Sequence, residues 1–124
     1  MRAFLPVAFA IAAAACASGA NGSVAPVAPA GLLTITITSA GVSPKSLTVN
    51  AGSQVSFVNN DAISHEMHSD PHPEHTDCPE INFVGFLSPG QTKQTGNLNT
   101  VRTCGFHDHA LPLNTSLQGS ILIR

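Results

Sequence analysis

Leu33-Thr34-Ile35-Thr36-Ile37-Thr38 decides the fold class. Aliphatic residues alternate with threonine through the whole stretch. In an extended chain this period of two puts every aliphatic on one face and every hydroxyl on the other. Its threonines and isoleucines are β-branched, the side chains that favour a pleated, half-buried surface. The segment therefore reads as a strand with one face in a core.

The same signals recur outward from it. Ser43-Pro44-Lys45 marks a turn, and Ser46 to Val49 a second short strand. Asn50-Ala51-Gly52-Ser53 turns the chain again, and Val55, Phe57 and Asn59 line one face of a third strand. Ser88-Pro89-Gly90-Gln91 is a further turn, followed by a polar strand around Thr92 to Leu98. Thr100 to Cys104 leads into a group of histidines, and Leu117 to Ile123 reads as a closing strand. No window carries a sustained helical stripe. Short strands separated by turns predict an all-β sandwich. Asp61 to Asn82 breaks the pattern, with Asp, Pro, His and Glu in place of alternating hydrophobics. It reads as one long His-rich loop, and long ordered loops are usually functional.

Towards the N-terminus the pattern stops near Leu32. Arg2 precedes a nearly unbroken apolar run from Ala3 to Ala15, shorter than the roughly 20 residues that span a bilayer. Residues 1–15 have the form of a secretory signal peptide. Ala13-Ala14-Ala15-Cys16 resembles a bacterial lipobox, which makes Cys16 the lipidated first residue of the mature chain; cleavage near Ala17 to Ala20 is the alternative. Residues 16–31 are small, uncharged and without periodicity, a flexible linker, and residues 32–124 are the folded domain. Both cleavage readings predict an exported chain, periplasmic or at the cell surface, in an oxidising compartment. Contact with the membrane is expected through the lipid anchor only.

Charged residues are 10% of the chain and the formal net charge is -2, so there is no basic patch for nucleic acid. Tryptophan and tyrosine are absent, which removes a base-stacking platform. Phe57, Phe83, Phe86 and Phe106 are expected to fill the core or shield a site. No nucleophile with a positioned base and no phosphate-cradling glycine loop is apparent, so the chain reads as a binding protein and not an enzyme.

The histidines carry the chemistry. His65, His68, His72 and His75 fall in the polar segment, and His107 and His109 follow Cys104 directly. All six surround Cys78 and Cys104, and imidazole with thiolate is a ligand set that holds copper or zinc strongly. His68, His72 and His75, interleaved with Asp70, Glu74 and Asp77, read either as a secondary metal site or as a solvated polar loop. Met67 is a candidate soft ligand for Cu(I).

Several segments resemble the small cupredoxins. Asn59-Asn60-Asp61-Ala62-Ile63-Ser64-His65 is similar to the segment that ends in their first copper-binding histidine. Cys104-Gly105-Phe106-His107-Asp108-His109 resembles their second ligand segment. Val42 to Gly52, Ser88 to Gln91 and Gly119 to Ile123 are similar to their opening strand, mid-domain turn and closing strand. The resemblance covers residues 32 to 124 and implies a cupredoxin-like Greek-key β-sandwich that binds copper. It implies His65 and Cys104 as ligands, with His107, His109 or both, in a type 1 site of two imidazoles and a thiolate. A periplasmic one-electron carrier with a redox partner protein would follow.

Two departures open an alternative. No methionine follows Cys104, and Ala110, Pro112 or Leu113 stands where the axial ligand is expected. Cys78 has no counterpart in the simplest members, and the cysteine count suggests a Cys78–Cys104 disulfide, which would consume the thiolate. His65, His107 and His109 would then form an all-histidine site. The chain would be a copper storage, delivery or resistance module that uses the His-rich loop and exchanges copper with donor or acceptor proteins. Both readings stay open on the sequence. Gly105 to His109 also looks locally like a stretch of copper–zinc superoxide dismutases, but no histidine follows His109 here.

Overall fold

The strands predicted from alternation form around two mixed sheets in the computed structural model, which describes residues 33–124. The signal-peptide segment, Cys16 and most of the linker lie outside the described residues. In chain order the strands are β1 (Thr34–Thr38), β2 (Gly41–Ser43), β3 (Ser46–Val49), β4 (Ser56–Asn59), β5 (His65–Ser69), β6 (Gly85–Leu87), β7 (Thr92–Gln94), β8 (Arg102–Asp108) and β9 (Gly119–Ile123). Short 3-10 helices occupy Pro79–Phe83 and Thr115–Leu117. One sheet runs β2-β1-β4-β7 and the other β3-β9-β8-β5-β6. β1 pairs with β4, and β3 with β9, in parallel; the remaining pairs are antiparallel.

Alternation puts the core between the sheets. Ile35 and Ile37 of β1 and Phe57 of β4 face Leu47, Val49, Met67, Phe106, Ile121 and Ile123 of the second sheet, all buried. The Phe57 and Phe106 rings meet edge to face, 5.2 Å apart at 89°, a geometry worth about 0.5–1.5 kcal/mol beyond the buried area. Gly119 leaves room for that ring, since a Cβ there would lie 2.5 Å from Phe106 Cζ. The predicted strand to Leu98 is shorter: β7 ends at Gln94, and Leu98 rejoins through a single bridge to Ser53.

Three expectations are corrected. Asp61 to Asn82 is not one loop, because His65–Ser69 forms β5, hydrogen-bonded between β8 and β6. Its buried positions are His65, Met67 and Ser69, so a strand is present without an aliphatic signature. Met67 is fully buried in the core, which removes it as a metal ligand. Phe83 and Phe86 neither fill the core nor lie under cover; they are 73% and 53% exposed.

Candidate metal centre

Strand parity sorts the chemistry-bearing side chains onto two faces. Along β8, Cys104, Phe106 and Asp108 point inward, while Gly105 and His107 point to the outer face. Along β5, His65 and Met67 point inward and Glu66 and His68 outward, and His68 stands directly opposite His107. An inner-facing Cys104 and an outer-facing His107 cannot hold one ion. Cys104 is instead joined to Cys78 in a buried disulfide. A disulfide sulfur is no thiolate, so the expectation of Cys104 as a copper ligand is corrected.

The outer face of β8 gathers the imidazoles. The segment after β5 folds back over it, pinned by Asp70 N donating to Gly105 O at 3.0 Å, and by Asp77 N donating to Asp70 O at 2.9 Å. Cys78 N donates to Ser69 Oγ at 2.8 Å, beside the disulfide. Asn82 closes the segment from below: its Nδ2 donates to His75 O and its Oδ1 accepts from Ser69 N. His75 itself takes a positive φ of 55°. As a result His72 and His75 of the segment meet His107 and His109 of β8 and its end. One ligand atom from each lies within 4.8 Å of the other three. Nitrogens about 2.0–2.1 Å from a shared ion are at most about 4.2 Å apart, so closing around an ion needs only small shifts.

The outer partners of these rings fix which nitrogen is free. His75 Nδ1 donates to Ser69 O at 2.8 Å, which leaves Nε2 as the lone-pair nitrogen, 2.9 Å from His109 Nδ1. His107 Nδ1 donates to Asp70 Oδ1 at 2.6 Å, the carboxylate–histidine pairing that orients metal-bound imidazoles. His107 Nε2 is buried and has no hydrogen-bond partner. The Asp70 carboxylate fills the space where a side chain at position 105 would begin, so glycine is required there. Desolvation, and then the nearby His109, His107 and His75, hold His72 below the usual imidazole range, which keeps its lone pair available near neutral pH. His68 lies beside the four, its ring 4.5 Å from His75 and 5.4 Å from His109, with Nε2 3.1 Å from Glu66 Oε1.

His65 is elsewhere. It is buried on the inner face, with Nδ1 2.7 Å from Asp108 Oδ2 and Nε2 3.0 Å from Asp61 Oδ2. Asn59 builds the approach to it, with Nδ2 donating to Ile63 O and Leu87 O and Oδ1 accepting from Asp61 N. The hydrogen bond from His65 holds the Asp61 carboxyl below the ordinary aspartate range. The residue of β8 that faces His65 is thus Asp108, not Cys104, and each ring nitrogen lies against a carboxylate oxygen. The structure does not bring His65 to the other histidines. Sequence reasoning placed Asp70 among the histidines without its role as the partner of His107, and it missed Gly105 and Asp108; the parity of β8, which sets Asp108 on the face of Cys104, is the signal that could have found the last.

No protein-family model and no curated protein matches the chain. Solved structures do. A purple cupredoxin from Nitrosopumilus maritimus superposes with a TM-score of 0.57 at 16% identity, over 73% of this chain and 98% of its own. Oxidised plastocyanin from Dryopteris crassirhizoma gives 0.57 at 18% identity, over 73% and 99%. An oxidised amicyanin variant gives 0.60 at 17% identity, over 82% and 87%. Two mixed sheets in this order, closed by a C-terminal strand beside the histidine-bearing one, are the cupredoxin β-sandwich, and that is the fold of this chain.

Proposed function

We propose that the chain binds copper through His72, His75, His107 and His109 and holds it as cargo, for storage, delivery or resistance. The observation that carries this reading is the His107 Nε2 lone pair, buried without a partner among three other imidazoles. Leaving a buried polar atom unpaired costs about 1–3 kcal/mol, and an ion at this place satisfies it. Four neutral imidazoles suit zinc, nickel and copper, and copper binds most strongly in the divalent series. The cupredoxin fold of the similar structures supports copper further.

The type 1 electron-carrier reading does not fit the residues present. It needs a thiolate beside His65, and that place holds Asp108 while Cys104 is in a disulfide. The chain's own residues do the binding work: Asp70 orients His107, Ser69 orients His75, and the disulfide ties the covering segment to β8. The same reading takes residues 1–15 as a signal peptide, Cys16 as the lipid-bearing residue, and copper donor or acceptor proteins outside the cytoplasm as partners.

The test is a Cu(II) titration of the full chain followed by calorimetry, absorbance and electron paramagnetic resonance. One tight equivalent with weak visible absorption and nitrogen hyperfine structure is expected, abolished in His107→Ala and His75→Ala. Absence of tight binding overturns the proposal. So does an intense visible band that Cys104→Ser removes, which would restore the electron carrier.

A further inference from the structure

The pole around His65 carries more than a lost ligand set. Asp108 ends β8, and both oxygens of its carboxylate are engaged. Oδ2 accepts from His65 Nδ1 at 2.7 Å, and Oδ1 accepts from Ala110 N at 2.9 Å and from Glu66 N at 3.3 Å. The Ala110 contact is an aspartate side chain capping its own backbone two residues on, the arrangement that builds a turn. Leu111 N donates to Asp108 O at 3.2 Å and closes that turn. His109 sits between the capped residues, and its own N donates to Glu66 O at 2.7 Å. The direction in which β8 delivers His109 to the outer face is therefore set by a carboxylate on the inner face, and that carboxylate is held by His65.

His65 in turn has no freedom. Its ring is enclosed, Asp61 occupies Nε2, and the Asp61 backbone is fixed by Asn59. A metal ion binding either His65 ring nitrogen would have to break that nitrogen's contact with a carboxylate.

We infer that the His65–Asp108 pair, with Asp61, is a positioning clasp for His109 of the four-histidine centre, and that this pole takes no metal. The positioning role rests on the copper reading above; the closure of the pole does not.

The experiment is a Cu(II) titration of the full chain and of Asp108→Ala, Asp108→Asn and His65→Gln. Nuclear magnetic resonance of the imidazole N–H groups, recorded without metal, accompanies it. The wild type is expected to take one equivalent, and His65→Gln also one. Asp108→Ala should bind roughly 10–100-fold more weakly, the range for loss of an outer partner, with a changed nitrogen hyperfine pattern. Asp108→Asn keeps an oxygen for Ala110 N and should recover part of the affinity. A second wild-type equivalent that His65→Gln removes overturns the closed pole. Unchanged affinity and spectrum in Asp108→Ala overturn the positioning role.

If the wild type binds no copper, the copper reading fails, and the clasp is judged on the metal-free spectra. Slowly exchanging N–H protons on the His65 ring, with the His109 amide displaced in Asp108→Ala, would support it. Rapid exchange on the His65 ring, or an unmoved His109 amide, would refute it. The asparagine variant covers the case in which the alanine variant does not fold.

Discussion

Replacing both buried cysteines, Cys78→Ala with Cys104→Ala, separates the two readings of this protein most sharply. The bridge spans a sequence separation of 26 residues. Removing the constraint it puts on the unfolded chain corresponds to about 12 cal/mol/K by the loop-closure relation, or about 3.5 kcal/mol at 25 °C. That is roughly a 300-fold change in the folding equilibrium. For a domain of this size it lowers the melting temperature by roughly 15–25 °C. The variant also removes one of the ties between β8 and the segment carrying His72 and His75, so copper affinity should fall with stability. Excess copper should restore part of the loss, about 2.7 kcal/mol at a hundred times the dissociation constant. Urea denaturation with and without copper measures both effects, and a thiol assay on the denatured wild type counts free sulfhydryls. A variant within about 1 kcal/mol of the wild type would refute the reasoning. So would two free thiols in the untreated protein.

Other predictions concern single residues. Gly105→Ala puts a methyl group where the Asp70 carboxylate lies; copper should bind roughly 10–100-fold more weakly through loss of the His107 partner, measured by competition with a chromophoric chelator. Met67→Ala should cost about 2–5 kcal/mol as a core truncation and leave the copper stoichiometry unchanged, checked by denaturation and metal analysis. Asp61→Asn tests the low-lying Asp61 carboxyl. A depressed folded-state value stabilises the fold above the unfolded value near 3.8, and that gain is lost as pH falls through the folded value. The variant should therefore melt lower than the wild type at pH 6, and the gap should shrink in melts recorded below pH 4.

Sandwich and core were legible because Ile35, Ile37, Val55 and Phe57 alternate with polar neighbours, and hydrophobic period sets a strand's face. β5 was illegible for the opposite reason. Its inward residues are His65, Met67 and Ser69, and polar groups buried with partners leave no alternation of hydropathy to read. The imidazoles were recognised as a group, but their division was not. His72 and His75 reach β8 only because the segment folds back through hydrogen bonds of Asp70, Ser69 and Asn82, a tertiary fact with no local signature. Cys104 was read by its spacing to His107, and that spacing is odd. Parity on an extended strand separates the two, and the inward place beside His65 falls to Asp108.

β8 therefore serves two chemistries with one short run of residues, sulfur and carboxylate on one side and imidazole on the other. The assignment depends on phase alone. Insertion or deletion of a single residue between Cys104 and His107 would bring the sulfur and the imidazole onto the same face of the strand, because a shift of one reverses every side chain beyond it. Substitution within the run is graded in effect, whereas a change in its length is all or none. The tolerance of this strand to evolutionary change is thus set less by which residues it carries than by the count between them.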